Sequence, residues 1–359
     1  MANMHLEKSS ENLFPILPQS LTGLARMAAE ATHVADGHDI EFKTLEVRSI
    51  LNKSVSRRQL SLAYSINPYR GCEFACRYCY ARYTHEFLAP RQSSPESPDF
   101  RDPNLFERLI FLKENAAWLL EQELRKIDPA DEIALGTATD PYQPIERTAG
   151  ITRSLLEVFA RKSGFRLGII TKSKLIERDL DLLTRIARNN KLVVHITITT
   201  PDPALARLLE PRAPRPDLRF QAVRRLREAG LTTGILCSPL LPGMTDTAEA
   251  LDRMAAKAAE ARASFFAAEP LFLKSCSRPT FLSFIQEHFP HLAPDYAARF
   301  ANMDFAIAPY REHLAALVQQ ACRNHGLSPR STYALLSREP GSRKAVCKES
   351  KGTQARLFA

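Results

Sequence analysis

No stretch of this chain approaches the ~18 consecutive apolar residues that a membrane-spanning helix requires. Its opening, Met1-Ala2-Asn3-Met4-His5-Leu6-Glu7-Lys8, lacks the basic-then-apolar order of an export signal. A Walker loop is missing, and so is the glycine fingerprint of a dinucleotide site. His85-Glu86 has no second histidine at the spacing of a zinc protease helix, so it is given no hydrolytic role. Cysteine is scarce and odd in number, seven in 359 residues, which argues against a disulfide framework. Together these absences lead us to expect a cytoplasmic protein without a membrane segment.

The length allows one large domain with extensions, or two small ones. Residues are 45% hydrophobic and 25% charged, ordinary for a globular enzyme with a sizeable core. A formal net charge of +9 permits attraction to nucleic acid without establishing it. Much of that excess lies on helix faces and in a tail bearing Arg343, Lys344, Lys348 and Lys351, and it is read as solvated surface. Lys53, Arg57 and Arg58 are read in the same way. Residues 1–45, polar and without sustained periodicity, are read as a mobile arm. A core is expected over 46–305, followed by a C-terminal helix (310–324) and the basic tail within 306–359.

What the chain does hold is a concentration of thiols in Gly71-Cys72-Glu73-Phe74-Ala75-Cys76-Arg77-Tyr78-Cys79-Tyr80. Three thiolates from one loop can hold three corners of a cubane [4Fe–4S] cluster. Such clusters normally take four, so one iron keeps an open position. Catalytic metal sites keep such a position and structural ones close it. Zinc is the competing occupant, but it prefers tetrahedral sites built from separated ligand pairs, and no second Cys-x-x-Cys exists. Cys237, Cys276, Cys322 and Cys347 are too dispersed for a second cluster, and buried cysteine is commonplace. Of these only Cys237, just before a strand end, is kept as a weak catalytic candidate.

Beyond the thiols the pattern alternates. Strands are expected over 64–69, 133–139, 167–171, 192–199, 233–238 and 265–269. Helices are expected over 104–125, from Thr152, and after Ser173 with Ile176, Leu180, Leu183 and Ala187 on one face. Another carries Phe220, Val223 and Leu226, with Arg219 displaced from the stripe, and a last one is capped by Asp246. Residues 93–102, rich in Pro and Ser, read as a surface excursion. Such repetition gives a parallel sheet covered by helices, curled one way by right-handed crossovers. Six units fit an incomplete barrel, although a doubly wound sheet would alternate identically. In a barrel, function gathers where strands run into the loops that follow.

The spacing C-x3-C-x2-C, with Tyr78 before the last cysteine, resembles the signature loop of the radical S-adenosylmethionine (radical SAM) enzymes. Where many members carry Gly-Gly-Glu, this chain has Thr139-Asp140-Pro141-Tyr142-Gln143-Pro144. That segment and the later Glu210-Pro211-Arg212 resemble the spore photoproduct lyase-like branch. The resemblance spans roughly 61–270 and implies a partial (β/α)6 TIM-like barrel with N- and C-terminal extensions. It implies a [4Fe–4S] cluster and S-adenosylmethionine as cofactors, and a reductase- or flavodoxin-type electron donor as partner. Facing the cofactor it implies Tyr78, Thr139, Asp140, Lys172, Ser173, Thr197, Thr199 and Arg212, with Glu210 orienting Arg212 and the backbone at Pro242 along the adenine.

The implied activity is reductive cleavage of S-adenosylmethionine to a 5′-deoxyadenosyl radical acting on an unidentified substrate. One departure matters. The lyase that repairs spore thymine dimers uses a further cysteine soon after the cluster loop, and here none lies between Cys79 and Cys237. DNA photoproduct repair therefore stands as an alternative. A non-catalytic iron–sulfur binding or sensing protein is a third reading, weakened by the retained strand-end motifs.

Overall fold

Runs of apolar and β-branched residues line up as parallel strands in the computed structural model, which describes residues 23–29, 31, 33–37, 39–53, 62–89, 98–304 and 306–329. The described chain opens with α1 (Gly23–Ala29), β1 (His33–Gly37), β2 (Ile40–Thr44) and β3 (Leu51–Lys53). β4 (Leu62–Ile66) and β5 (Tyr69–Arg70) lead into the cysteine loop; β6 (Leu109–Leu112) and α2 (Ala116–Glu123) follow it. Alternation then proceeds through β7 (Glu132–Leu135), α3 (Glu146–Ala149), α4 (Ile151–Ala160), β8 (Arg166–Thr171) and α5 (Leu180–Asn189). It continues with β9 (Lys191–Thr197), α6 (Pro203–Leu209), α7 (Pro216–Glu228), β10 (Thr233–Leu240), α8 (Ala248–Glu260) and β11 (Phe266–Pro270). Three helices close the described chain: α9 (Arg278–His288), α10 (Ala293–Arg299) and α11 (Ala308–Asn324).

The main sheet has the order β11-β10-β9-β8-β7-β4-β3. β4 and β7 to β11 are parallel, and β3 joins β4 antiparallel at one edge. Its edges, β11 and β3, are not paired with each other among the described residues, so the six parallel strands form an open α/β arrangement. Helices cover it, which is why β9 is buried on both faces from Leu192 to Thr197. Each such buried Leu, Val or Ile contributes about 1.5–3 kcal/mol of transfer free energy.

Several expectations are corrected. The stretch read as an arm carries α1, β1 and β2, and β2 pairs in parallel with β6. A partner some seventy residues downstream (Glu41 opposite Leu109) supplies what local periodicity lacks. The helix expected over 104–125 is broken, because Leu109-Ile110-Phe111-Leu112 is fully buried as β6, with α2 only after it. Four consecutive apolar residues carry no period, so tertiary pairing decides between helix and strand. In α5 the buried face is Leu182, Leu183 and Ile186, whereas Ala187 is exposed. A 3-10 turn over Lys174–Asp179 resets the helical phase. Arg219 is buried, and Thr247 rather than Asp246 caps α8. Residues 1–22, Arg57, Arg58 and the tail from 330 lie outside the described residues.

β1, β2, β6 and β5 form a second sheet that ends where the thiol loop begins. Just after β6, the buried Lys113 donates from Nζ to the Asn67 carbonyl at 2.7 Å. Asn67 in turn accepts from the Ala138 N–H and donates to Thr137, holding the turn after β7. Burial, with Arg70 adding repulsion, pushes the Lys113 pKa down to about 7. The unfolded chain therefore binds more protons than the folded one between about 7 and 10.4, and stability rises with pH through that window. Below about pH 7 the cost of charging the buried amine is fully present. We expect Lys113→Met to gain on wild type by a few kcal/mol more at pH 6 than at pH 10 in urea denaturation; an equal difference at both pH values would refute the assignment.

Candidate functional site

Where the parallel strands end, a cavity of about 840 Å³ opens, with Cys72, Cys76 and Cys79 on one wall. Thr139, Asp140, Lys172 and Thr197, from the ends of successive strands, also border it. Gly136 makes the turn out of β7 at φ +95°, where a Cβ would lie 2.5 Å from the Ile170 carbonyl oxygen. Only glycine lets the chain leave the strand so close to its neighbour.

The thiol loop has little regular structure and is held by hydrogen bonds from all sides. Its Gly71 carbonyl accepts from Thr139 Oγ1 at 2.6 Å and from Gln143. Gln143 accepts from the Glu73 N–H at 2.8 Å, and Glu73 accepts from the Ile145 N–H at 2.7 Å. Arg82, paired with Glu107 in the interior, donates to the Cys76 carbonyl. Ser277 Oγ donates to the Cys79 carbonyl at 2.6 Å.

Behind the loop lies a buried charge network. Tyr78 donates to Glu210 and lies 2.9 Å from Thr199 Oγ1, itself a donor to Glu210. The Arg219 guanidinium meets the other Glu210 oxygen at 2.5 Å, an ion pair rather than an aligned hydrogen bond. Lys172 Nζ is 3.9 Å from Glu210. Burial alone would raise the Glu210 pKa, but Arg219 and Lys172 reverse this and hold it below the usual carboxylate value. On Lys172 burial opposes the charge, and Glu210 with Cys76 lifts the pKa above the ordinary lysine value.

The residues singled out in the sequence separate into two groups. The three cysteines, Tyr78, Thr139, Asp140, Lys172 and Thr197 border the cavity. Asp140 accepts from Tyr142 N–H, Thr171 Oγ1 and Lys172 N–H, leaving about one of its roughly four acceptor positions. Five others lie off the wall. Ser173 caps the 3-10 turn, and Thr199 is spent in the Glu210 network. Arg212 is exposed and donates to the Glu107 carbonyl; Glu210 pairs with Arg219 in its place. Pro242 borders a neighbouring cavity. Cys237 is buried and donates weakly to the Thr199 carbonyl, because strand alternation turns Leu236 and Ser238 to the cavity instead. Gln143 lies within the segment quoted from the sequence but without a role of its own, and Arg82, Arg219 and Ser277 were missed. Their roles depend on distant partners, and no local spacing signals them.

The donor set suits an iron–sulfur core. Among the described residues three cysteines, and no fourth, border the cavity. Burial pushes all three thiols up, Cys76 to about 12, so a bound cationic core is what would make them thiolates at neutral pH. No group of three or more Cys, His, Asp or Glu closes around a single ion among the described residues. A cubane, whose corners stand apart, does not require that closure.

The family model of the Radical SAM superfamily matches residues 66–255. An uncharacterized protein of Mycobacterium tuberculosis is 33% identical over 305 residues, 84% of this chain and 86% of its own. One from Methanocaldococcus jannaschii is 29% identical over 183 residues, 51% of this chain and 62% of its own. Spore photoproduct lyase solved with bound AdoMet and dinucleoside spore photoproduct matches with a TM-score of 0.55 at 14% identity, covering 80% of both chains. At that identity the likeness speaks for the fold. Among the described residues no helix is long and apolar enough to cross a membrane.

Neutralising Glu210 would leave Arg219 charged in the interior. We expect Glu210→Gln to cost about 3–5 kcal/mol in urea denaturation of the metal-free protein, and Tyr78→Phe about 1.5–3 kcal/mol. A cost below about 1 kcal/mol for Glu210→Gln would mean the network carries no net stabilisation.

Proposed function

This chain belongs to the radical SAM superfamily, and we propose that it is an enzyme holding a [4Fe–4S] cluster at Cys72, Cys76 and Cys79 and cleaving S-adenosylmethionine reductively. One observation carries the reading: three thiols of a single loop, with no fourth among the described residues, face a cavity at the ends of parallel strands. When bound, the cluster supplies the electron that breaks the S–C5′ bond, yielding methionine and a 5′-deoxyadenosyl radical able to take hydrogen from an unactivated C–H bond.

The protein's own residues bind, orient and screen. Lys172, kept charged on the cavity wall, is assigned to the methionine carboxylate. The remaining acceptor position of Asp140 is assigned to the amine, and Thr197 to hydrogen bonding beside them. Tyr78, Ser173, Thr199 and Arg212 are assigned to support: they tie the loop and strand ends together without facing the cofactor through a free polar group. Pro242 is kept at the margin of the adenine end. A one-electron donor of reductase or flavodoxin type completes the reading, in a cytoplasmic setting that keeps the thiols reduced. Repair of DNA photoproducts is not favoured, since Cys237 turns away from the cavity.

After anaerobic reconstitution and dithionite reduction, wild type is expected to release 5′-deoxyadenosine and methionine. Cys72→Ala, Cys76→Ala and Cys79→Ala should each lose bound iron and fall to background, while Cys237→Ala keeps both iron and turnover. Colourless wild-type protein, or Cys76→Ala releasing as much product as wild type, overturns the reading.

A further inference from the structure

Charges on the cavity wall are almost all accounted for. Asp140 is met by three donors, Lys172 faces Glu210, and Glu269, at the end of β11 on the same wall, is engaged in a contact of its own. Two cations are left over: Lys274, in the loop after β11, and Arg311, in the first turn of α11. Both border the same cavity as the cysteines, from C-terminal elements that carry none of the strand-end groups assigned above. Among the described residues neither is within ion-pairing distance of a carboxylate, whereas nearby Arg278 is matched by Asp304 at 2.9 Å. Among the described residues the buried Arg311 Nε–H meets no hydrogen-bond acceptor, as is also true of Arg278 Nε–H, but Arg278 has its carboxylate and Arg311 has none. A buried guanidinium donor beside an open cavity is costly unless something anionic meets it there.

Lys274 is also held in position. The Lys274 carbonyl accepts from the Ser277 and Arg278 N–H groups at 3.0 Å each, and the Leu273 N–H donates to the Asp304 carbonyl at 2.9 Å. Lys274 Nζ lies 3.9 Å above the centre of the Tyr83 ring, which keeps the ammonium over the cavity wall rather than in solvent. Through Ser277 Oγ this same loop is hydrogen-bonded to the Cys79 carbonyl, so its position is tied to the thiol loop. Beside the cations, Tyr80 and Phe272 put two rings on the wall with centroids 5.7 Å apart.

The geometry points to a substrate-side anion site in which Lys274 and Arg311 hold a phosphate or carboxylate group, with the organic body of the ligand against Tyr80 and Phe272. Guanidinium supplies a planar fork for two oxygens and ammonium a point charge, a combination suited to either oxyanion. That the bound anion belongs to the substrate rests on the radical-enzyme reading; that the two cations bind an oxyanion does not.

The test is calorimetric titration of the cluster-loaded full chain with inorganic phosphate and, separately, acetate at constant ionic strength. Wild type should bind at least one saturably. Lys274→Met and Arg311→Met should each weaken that binding about tenfold, the double variant should abolish it, and Lys257→Met, a surface control, should leave it unchanged. Preference for phosphate or for acetate assigns the substrate's anionic group. No saturable binding of either by wild type, or undiminished binding by the double variant with its iron content intact, overturns the site. The two readings fail separately. Wild type that cleaves S-adenosylmethionine but binds neither anion loses only the site; one that binds an anion through Lys274 and Arg311 but never cleaves S-adenosylmethionine loses only the radical reading.

Discussion

A loop that presents three thiols has no helix or strand ladder to fix its shape, so its hydrogen bonds must come from elsewhere. In this protein they arrive from the turn after β7 through Thr139 and Gln143, from Arg82, and from Ser277 beyond β11. The thiol loop is thereby referred both to the β11 edge of the open sheet and to the turn after β7, four strands away. Its geometry depends on both holding still, and the second sheet, ending in β5 just before Gly71, fixes its entry.

Charge balance is the second constraint. The ion pair of Glu210 with Arg219 is interior, and Lys172 sits close enough to share the carboxylate. Replacing such a pair by apolar residues is often neutral or stabilising, so stability alone gives weak grounds for it. What it supplies is position: Tyr78, two residues after Cys76, is tethered to the strand ends through Glu210 and Thr199. Lys172 stays charged on the cavity wall for the same reason. At the other side Lys274 and Arg311 border the cavity without an ion pair to a carboxylate among the described residues, although Glu269 shares that wall.

Much of this was legible along the chain. The six parallel strands were found to within a few residues, because each is a compact apolar run bounded by turn chemistry. β6 was misread as helix, since Leu109-Ile110-Phe111-Leu112 has no period and its partners, Glu41–Thr44 and Tyr69–Arg70, lie far off in sequence. Arg212 looked like the clamp beside Glu210 because the two are neighbours in sequence. The fold instead turns Arg219 inward, one helical segment further on.

The sequence by itself determined the chemistry on offer: three cysteines at fixed short spacing, polar residues at the ends of apolar runs, and an alternation that only a helix-covered parallel sheet satisfies. Such features are local, and spacing alone carries them. Tertiary structure decided which of the polar residues reach the cavity. It set Lys172 and Asp140 on the wall, turned Cys237 away, and brought Lys274 and Arg311, far downstream in sequence, to the same cavity as the thiols. Those outcomes depend on strand register and helix packing between distant segments, which no local pattern encodes.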